Sequence, residues 1–193
     1  RLARHLHGDE LKVAFAFILS MPGAPFIYYG DEIGMRYVEG LKSVEGGYNR
    51  TGSRSPMQWD DSTNAGFSSA PASDLYIAMD PDKDRPTAKK EMAAPDSLYH
   101  EVKKLIRIRQ SHKALQSRGK ITFVYAEKNA YPLAYIREDG DEKILVIINA
   151  AAEAKTFACD AEPKEAIYNF GAAAEAKNGK ITVPAQSAGF YRI

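Results

Sequence analysis

Several features that mark common function classes are scarce or absent. The chain has one cysteine, Cys159, in 193 residues, which excludes an internal disulfide framework and a cysteine zinc cluster. Cys159 precedes Asp160 in a β-rich region with no nearby histidine, so it reads as a core filler rather than a nucleophile. The four histidines, His5, His7, His100 and His112, do not recur at metal-ligand spacing, and no metal is expected. No GxSxG, Walker A or GxGxxG motif occurs, and Gly30–Gly34 is too short for a dinucleotide fingerprint, so no cofactor is expected. No charge of one sign dominates: Lys+Arg 26 against Asp+Glu 25 leaves a net +1, with no electrostatic pull toward nucleic acid. The longest apolar run, Val13–Leu19, is far short of the roughly 20 residues that span a bilayer, so no membrane partner is expected. No leader-like stretch follows Arg1, and the chain is expected to be a segment of something longer. Cytoplasm, periplasm and export all remain compatible with it.

What is present is an ordinary globular composition, 45% hydrophobic and 26% charged, enough for a core without covalent staples. A helix is expected from about Asp9 to Met21. Asp9 is its N-cap, the stretch is apolar nearly all round after Lys12, and Pro22 and Gly23 end it. Pro25–Tyr29 is a short apolar and aromatic run bounded by Gly30, which reads as a buried strand. Residues 30–94 show little period and hold Gly30, Gly34, Gly40, Gly46, Gly47, Gly52 and Gly66. Loops of that length are usually functional or disordered, and Met57, Trp59, Phe67 and many tyrosines favour the ordered reading. A second helix follows Pro95, capped by Asp96 or Ser97, and runs to about Leu115. It carries a stripe of Leu98, Val102, Leu105 and Ile106, and cations, Arg109 among them, load its C-terminal half.

From Lys120 the pattern becomes that of short strands: Ile121–Tyr125, Leu133–Ile136, Lys143–Ile148, Thr156–Ala158, Ala166–Tyr168, Ile181–Val183 and Ser187–Ile193. Asp139-Gly140 and Asn178-Gly179 mark hairpin turns. An all-β antiparallel sandwich is expected over residues 118–193, after an α/β part over 1–117. The Ala-rich stretch 172–176 reads as a loop or a frayed turn.

Two places could carry chemistry. Asp31 and Glu32 follow the expected strand at its C-terminal end, where active sites of α/β folds gather; alternatively they cap a turn. Arg54, in Arg54-Ser-Pro-Met-Gln-Trp59-Asp60, sits near an aromatic side chain in the long loop. It could clamp sugar hydroxyls or a carboxylate, or the loop could simply pack around Trp59.

Three stretches in order resemble one family. Met21-Pro-Gly-Ala-Pro-Phe-Ile-Tyr-Tyr-Gly-Asp-Glu-Ile-Gly-Met35 resembles the eighth strand of the TIM (β/α)8 barrel of the α-amylase family, glycoside hydrolase family 13. Arg54–Asp60 followed by Asn64-Ala-Gly-Phe-Ser68 resembles the loop after that strand, most like the α-glucosidase, oligo-1,6-glucosidase and trehalose synthase branch. The Pro95–Leu115 helix, with Leu105-Ile-Arg-Ile-Arg109, is similar to the last barrel helix, and a β-sandwich is the family's usual C-terminal domain. The fold class implied is therefore a remnant of a TIM barrel, its last strand and helices, followed by that sandwich.

The resemblance implies retaining chemistry at α-glucosidic bonds, with two carboxyl groups about 5–5.5 Å apart. It places the nucleophile, the acid/base and the third acid on earlier barrel strands, upstream of Arg1–Arg4, so no catalytic residue is expected in these 193. Arg54 matches the loop arginine that reaches the glucose pocket. Tyr29, Asp31 and Trp59 are expected to line or buttress that pocket, and Asp31 with Glu32 to organise its floor. The partners implied are an α-glucan or α-glucoside substrate, met through the complete parent enzyme, and the N-terminal barrel portion. The alternative is a non-catalytic β-sandwich module binding carbohydrate or a partner through Tyr125, Tyr131 or Tyr135; core or cross-strand packing of these tyrosines is the favoured reading.

Overall fold

The computed structural model describes every residue except Val44, Glu45, Gly47 and Tyr48; the loop glycine Gly47 thus lies outside the described residues. The chain forms two compact units, one of Arg1–His7 with Ile27–Glu101, the other of Gly8–Phe26 with Val102–Ile193. This grouping cuts across the division expected near residue 117, because the first long helix packs on the β-strands that follow 118.

In the second unit, helix α1 spans Asp9–Ser20, with Gly8 rather than Asp9 at the cap position. Leu11, Val13, Phe15, Ala16 and Leu19 are buried, but Phe17 is exposed, so the helix is not covered all round as its composition suggested. Within this unit it packs against strands of the β-region that follows residue 118. Helix α3 spans Leu98–Ser111, after a short helix α2 over Ala88–Ala93 that the sequence did not suggest. Ser97 caps α3 by accepting the His100 N–H at 3.4 Å.

The strands are β1 (Lys120–Tyr125), β2 (Leu133–Asp139), β3 (Glu142–Asn149), β4 (Lys155–Ala158), β5 (Ala166–Phe170), β6 (Glu175–Lys177), β7 (Lys180–Val183) and β8 (Ser187–Arg192). They form two antiparallel sheets, ordered β1-β2-β3-β8-β5 and β4-β7-β6. Strand β6 replaces part of the loop expected at 172–176. Its residues are all exposed and only its pairing with β7 makes it a strand. Asn178 and Gly179 both take positive φ between β6 and β7, the pattern of a type I′ turn. Ala134, Leu145, Ile147 and Tyr191 of the larger sheet share one buried cluster with Phe157, Ile181 and Val183 of the smaller, and Cys159 fills part of it. Of the three tyrosines weighed for binding, Tyr135 is buried, Tyr125 packs its ring on Phe157 and only Tyr131 is exposed.

The expected strand Pro25–Tyr29 is the main correction. The segment pairs with no strand, and Phe26 is 93% exposed. A strand exists only where a neighbour takes its backbone N–H and C=O groups, and the described residues supply none. No helix among them is long and apolar enough to cross a membrane.

The end of α1 is fixed by two buried arginines. Arg109 of α3 donates to the carbonyls of Leu19 (2.8 Å), Met21 (2.7 Å) and Gly23 (2.7 Å). Arg137 of β2, wholly buried, donates to the carbonyl of Ser20, and to those of Gln116 (2.8 Å) and Gly119 (3.0 Å). The last carbonyls of a helix lack intrahelical donors and carry the negative end of its dipole, so both cations find acceptors there. Arg109 therefore serves α1 rather than the end of its own helix. Burial, and then the nearby Arg109, pull the Arg137 guanidinium down to about 10.

Arg137→Met leaves buried carbonyls without donors and should cost about 3–5 kcal/mol in urea unfolding, with Arg137→Lys recovering part of it. Glu142 accepts the Ala114 N–H at 2.9 Å and contacts His112. Burial pushes its carboxyl up, but the Ala114 N–H, His112 and Arg192 outweigh this and hold it below its usual range. A depressed carboxyl stabilises the fold above its unfolded value, and the gain vanishes as pH falls through the folded value. Glu142→Gln should flatten that acid limb in unfolding measured from pH 6 to pH 3, and an unchanged limb would refute the assignment.

Candidate functional site

The site lies within the first unit and is built by local turns. Gly30 (φ +83°) and Gly34 (φ +72°) bracket a single helical turn over Asp31–Ile33. A Cβ on Gly30 would overlap the Met35 side chain, and the left-handed φ favours glycine at this reversal. The turn sends two adjacent acids to different places. Asp31 faces Arg1, whose Nη1 lies 3.4 Å from its Oδ1. The buried Arg1 guanidinium sits 4.8 Å and 4.6 Å from the ring centres of Tyr28 and Tyr29, a cation–π arrangement. Glu32 instead lines a cavity.

That cavity, about 640 Å³, is bounded by Tyr29, Glu32, Arg54, Trp59 and Tyr99 on several walls, with Met57, Phe67, Tyr76 and Met92 among the remainder. Its size falls within the usual 300–1,000 Å³ of small-molecule sites, and its make-up, mostly apolar and aromatic with few polar groups, is theirs as well. Tyr29 donates its hydroxyl to the Ser55 carbonyl at 2.9 Å, which ties the Gly30 turn to the residue after Arg54. Burial, with the adjoining Tyr28, pushes the Tyr29 phenol up, against the pull of Arg1. Arg54 ends the helical turn Thr51–Arg54, and Gly52 in that turn accepts the Val38 N–H at 3.0 Å. Arg54 and Glu32 thus line one cavity together with several aromatic side chains.

Of the four residues predicted from sequence, the structure brings Tyr29, Arg54 and Trp59 to one cavity and leaves Asp31 outside it. Asp31 is taken by Arg1 because the 3-10 turn rotates successive side chains apart by about a third of a revolution. Glu32, expected with Asp31 at the floor of the pocket, lines the cavity. Tyr76, Met92 and Tyr99 were not foreseen. They come from α2, α3 and the loop before them, and no local pattern connects them to Arg54. Phe67 lay inside the Asn64–Ser68 motif and was legible there. Among the described residues no group of three or more His, Cys, Asp or Glu is placed to hold a metal ion.

The sequence model of the α-amylase catalytic domain matches residues 2–118. The chain belongs to the α-amylase family. It is 30% identical over 199 aligned residues to a glucan 1,6-alpha-glucosidase of Streptococcus pneumoniae, covering 89% of this chain and 36% of that protein. It is 32% identical to a trehalose synthase of Thermus thermophilus, covering 81% of this chain and 16% of that one. The crystal structure of the trehalulose synthase from Pseudomonas mesoacidophila MX-45 superposes with a TM-score of 0.78 at 26% identity, over 95% of this chain and 38% of that one. The chain therefore spans between 16% and 38% of the length of these relatives.

The loop that carries Arg54 is tightly constrained. A Cβ on Gly52 would land on the Val38 carbonyl oxygen and 2.7 Å from the Tyr37 ring. Gly52→Ala should cost about 1–3 kcal/mol in urea unfolding followed by the emission of Trp59, the single tryptophan. A loss below about 0.5 kcal/mol would show that the loop can shift freely.

Proposed function

We propose that these 193 residues are the C-terminal portion of a retaining glycoside hydrolase or transglycosylase acting on α-glucosidic bonds of starch, malto-oligosaccharides or small α-glucosides. Residues 1–117 are then the end of its catalytic barrel with the long loop after strand eight. Residues 118–193 are a C-terminal β-sandwich. The match of the catalytic-domain model, ending at residue 118, supports that division, as does the single core shared by the two antiparallel sheets. The nucleophile and the acid/base are contributed from upstream of this segment.

The observation that carries the reading is the convergence of Tyr29, Arg54 and Trp59 on one cavity in a chain of this family. Guanidinium N–H groups donate to sugar hydroxyls in fixed directions. The Trp59 and Tyr29 faces take the apolar C–H faces of a pyranose ring. Arg54 thereby holds the glucosyl unit in place while carboxylates outside this segment break the bond, and part of the rate comes from that positioning.

The test uses the complete protein and the 193-residue chain side by side on 4-nitrophenyl α-glucoside, maltose and starch. The complete protein should turn over at least one of them, and the isolated chain none. In the complete protein, Arg54→Ala should lower kcat/KM about 10- to 100-fold with unchanged circular dichroism, as expected for loss of charged hydrogen bonds. Turnover by the isolated chain would overturn the placement of the carboxylates. Full activity in Arg54→Ala would remove Arg54 from the site.

A further inference from the structure

The six-residue helix α2 buries none of its side chains, so packing does not hold it in place. A helix of this length is also marginal on its own. Yet Ala88 and Met92 of α2 line the cavity together with Met57 and Trp59 of the long loop. Hydrogen bonds centred on Gln58 join the two segments. Gln58 is wholly buried and does not itself line the cavity. We propose that Gln58 is a positioning residue, which holds the start of α2 against the loop and so sets the shape of the pocket for a glucosyl unit. This inference rests on the function proposed above and adds to it a residue that touches no ligand.

The first N–H groups of a helix have no acceptors within it. In α2 the loop supplies them. The Ala88 N–H donates to the Gln58 carbonyl at 2.8 Å, and the Lys89 N–H to the Trp59 carbonyl at 2.9 Å. The third, on Lys90, donates to the hydroxyl of the N-cap Thr87 at 3.3 Å. The Gln58 side-chain amide then donates to the carbonyl of Pro86, one residue before that cap. Gln58 thus grips the chain on both sides of Thr87, by its side chain at residue 86 and by its main chain at residue 88. Lys90 adds an ion pair to Asp61 at 2.8 Å, but both of its ends are exposed, and such pairs contribute little.

The other half of the amide points to the same role. Gln58 Oε1 is buried with no hydrogen-bond partner among the described residues. An orphaned buried acceptor lowers stability, and an apolar side chain of similar length would avoid it. What glutamine adds at this position is the N–H donated to Pro86. Proline has a fixed φ, which stiffens the approach to the cap, and a bond shielded from water is stronger than an exposed one. The far end of α2 is tied separately, by the Ser97 hydroxyl donating to the Glu91 carbonyl. A shift at residue 86 therefore moves Ala88 relative to Trp59 while that end stays anchored.

A wall of this kind contacts the ligand before and during reaction alike. Its displacement weakens both states together and is read as a higher KM with less change in kcat. Loss of folded protein has the opposite signature, because the molecules that remain folded keep their KM. The two roles of a buried glutamine, positioning and plain stability, are therefore separable by kinetics.

The experiment compares Gln58→Met and Gln58→Glu with the unaltered complete protein on 4-nitrophenyl α-glucoside. Gln58→Met keeps the length of the side chain and removes its donor. It should raise KM about three- to tenfold, lower kcat less, and speed hydrogen exchange at the Ala88 and Lys89 amides, with Tm close to that of the unaltered protein. Gln58→Glu should show the same rise at pH 7, measured against the unaltered protein at each pH. Part of it should disappear as pH falls, because a buried carboxyl takes up a proton readily and can again donate to Pro86. An unmoved KM in both variants, whatever happens to Tm or exchange, would make Gln58 a structural residue only and overturn the proposal. If the unaltered protein turns over no α-glucoside, maltose binding by calorimetry decides. Weaker binding in Gln58→Met would keep the positioning role and overturn the proposed activity, and no binding by any of the three would overturn both.

Discussion

The C-terminus of α1 is the point on which the second unit depends. A helix ends in carbonyls that its own backbone cannot satisfy, and here those carbonyls are buried rather than solvated. Arg109 and Arg137 reach them from α3 and from β2. Each guanidinium takes several carbonyls at once, which an ammonium could not do in the same plane. Tyr135 joins them, its hydroxyl 2.6 Å from Ser20 Oγ, and burial pushes its phenol up to about 12. Two like charges sit close together because the helix dipole favours both and each has its own set of carbonyls. The same contacts tie a helix of the catalytic-domain match to the strands beyond it, which explains why the compact units do not divide near residue 117.

The first unit is organised on a different principle. Its loop has little regular structure, and its order comes from glycine turns, single helical turns and side chains that bond carbonyls. Gly30 and Gly52 are positions where a Cβ would strike neighbouring atoms. Asn64 and Ala65 accept left-handed backbone because the loop bonds around them leave no alternative. The constraints converge on the cavity wall: Tyr29, Arg54 and Trp59 are each one or two bonds from a fixed turn. A long loop can present a binding surface of defined shape when its backbone groups are accounted for in this way.

Much of this architecture can be read along the chain. The β-domain shows in alternation and turn chemistry, as with Asn178-Gly179, and α3 in its apolar stripe and its Ser97 cap, because these signals are local. Cys159 as core filler and Tyr135 as packed ring were likewise legible from their surroundings in sequence. Strand β6 was not, since exposed Glu175, Ala176 and Lys177 have no strand preference and are a strand only through pairing with β7. Helix α2 was hidden for a similar reason: it is short and has no buried face.

The sequence by itself determined the family and the order of helix, loop, helix and strands, because motif spacing and hydrophobic period are properties of the chain alone. It also favoured a buried strand at Pro25–Tyr29, since an apolar run carries no record of whether a partner strand is present. Only the tertiary structure decided which of two adjacent acids faces the cavity, since one 3-10 turn sends Asp31 to Arg1 and Glu32 to the wall. It alone brought Tyr76, Met92 and Tyr99 to Arg54 and carried Arg109 and Arg137 to the end of α1. Those meetings are set by how distant segments pack, and packing distance leaves no trace in sequence separation.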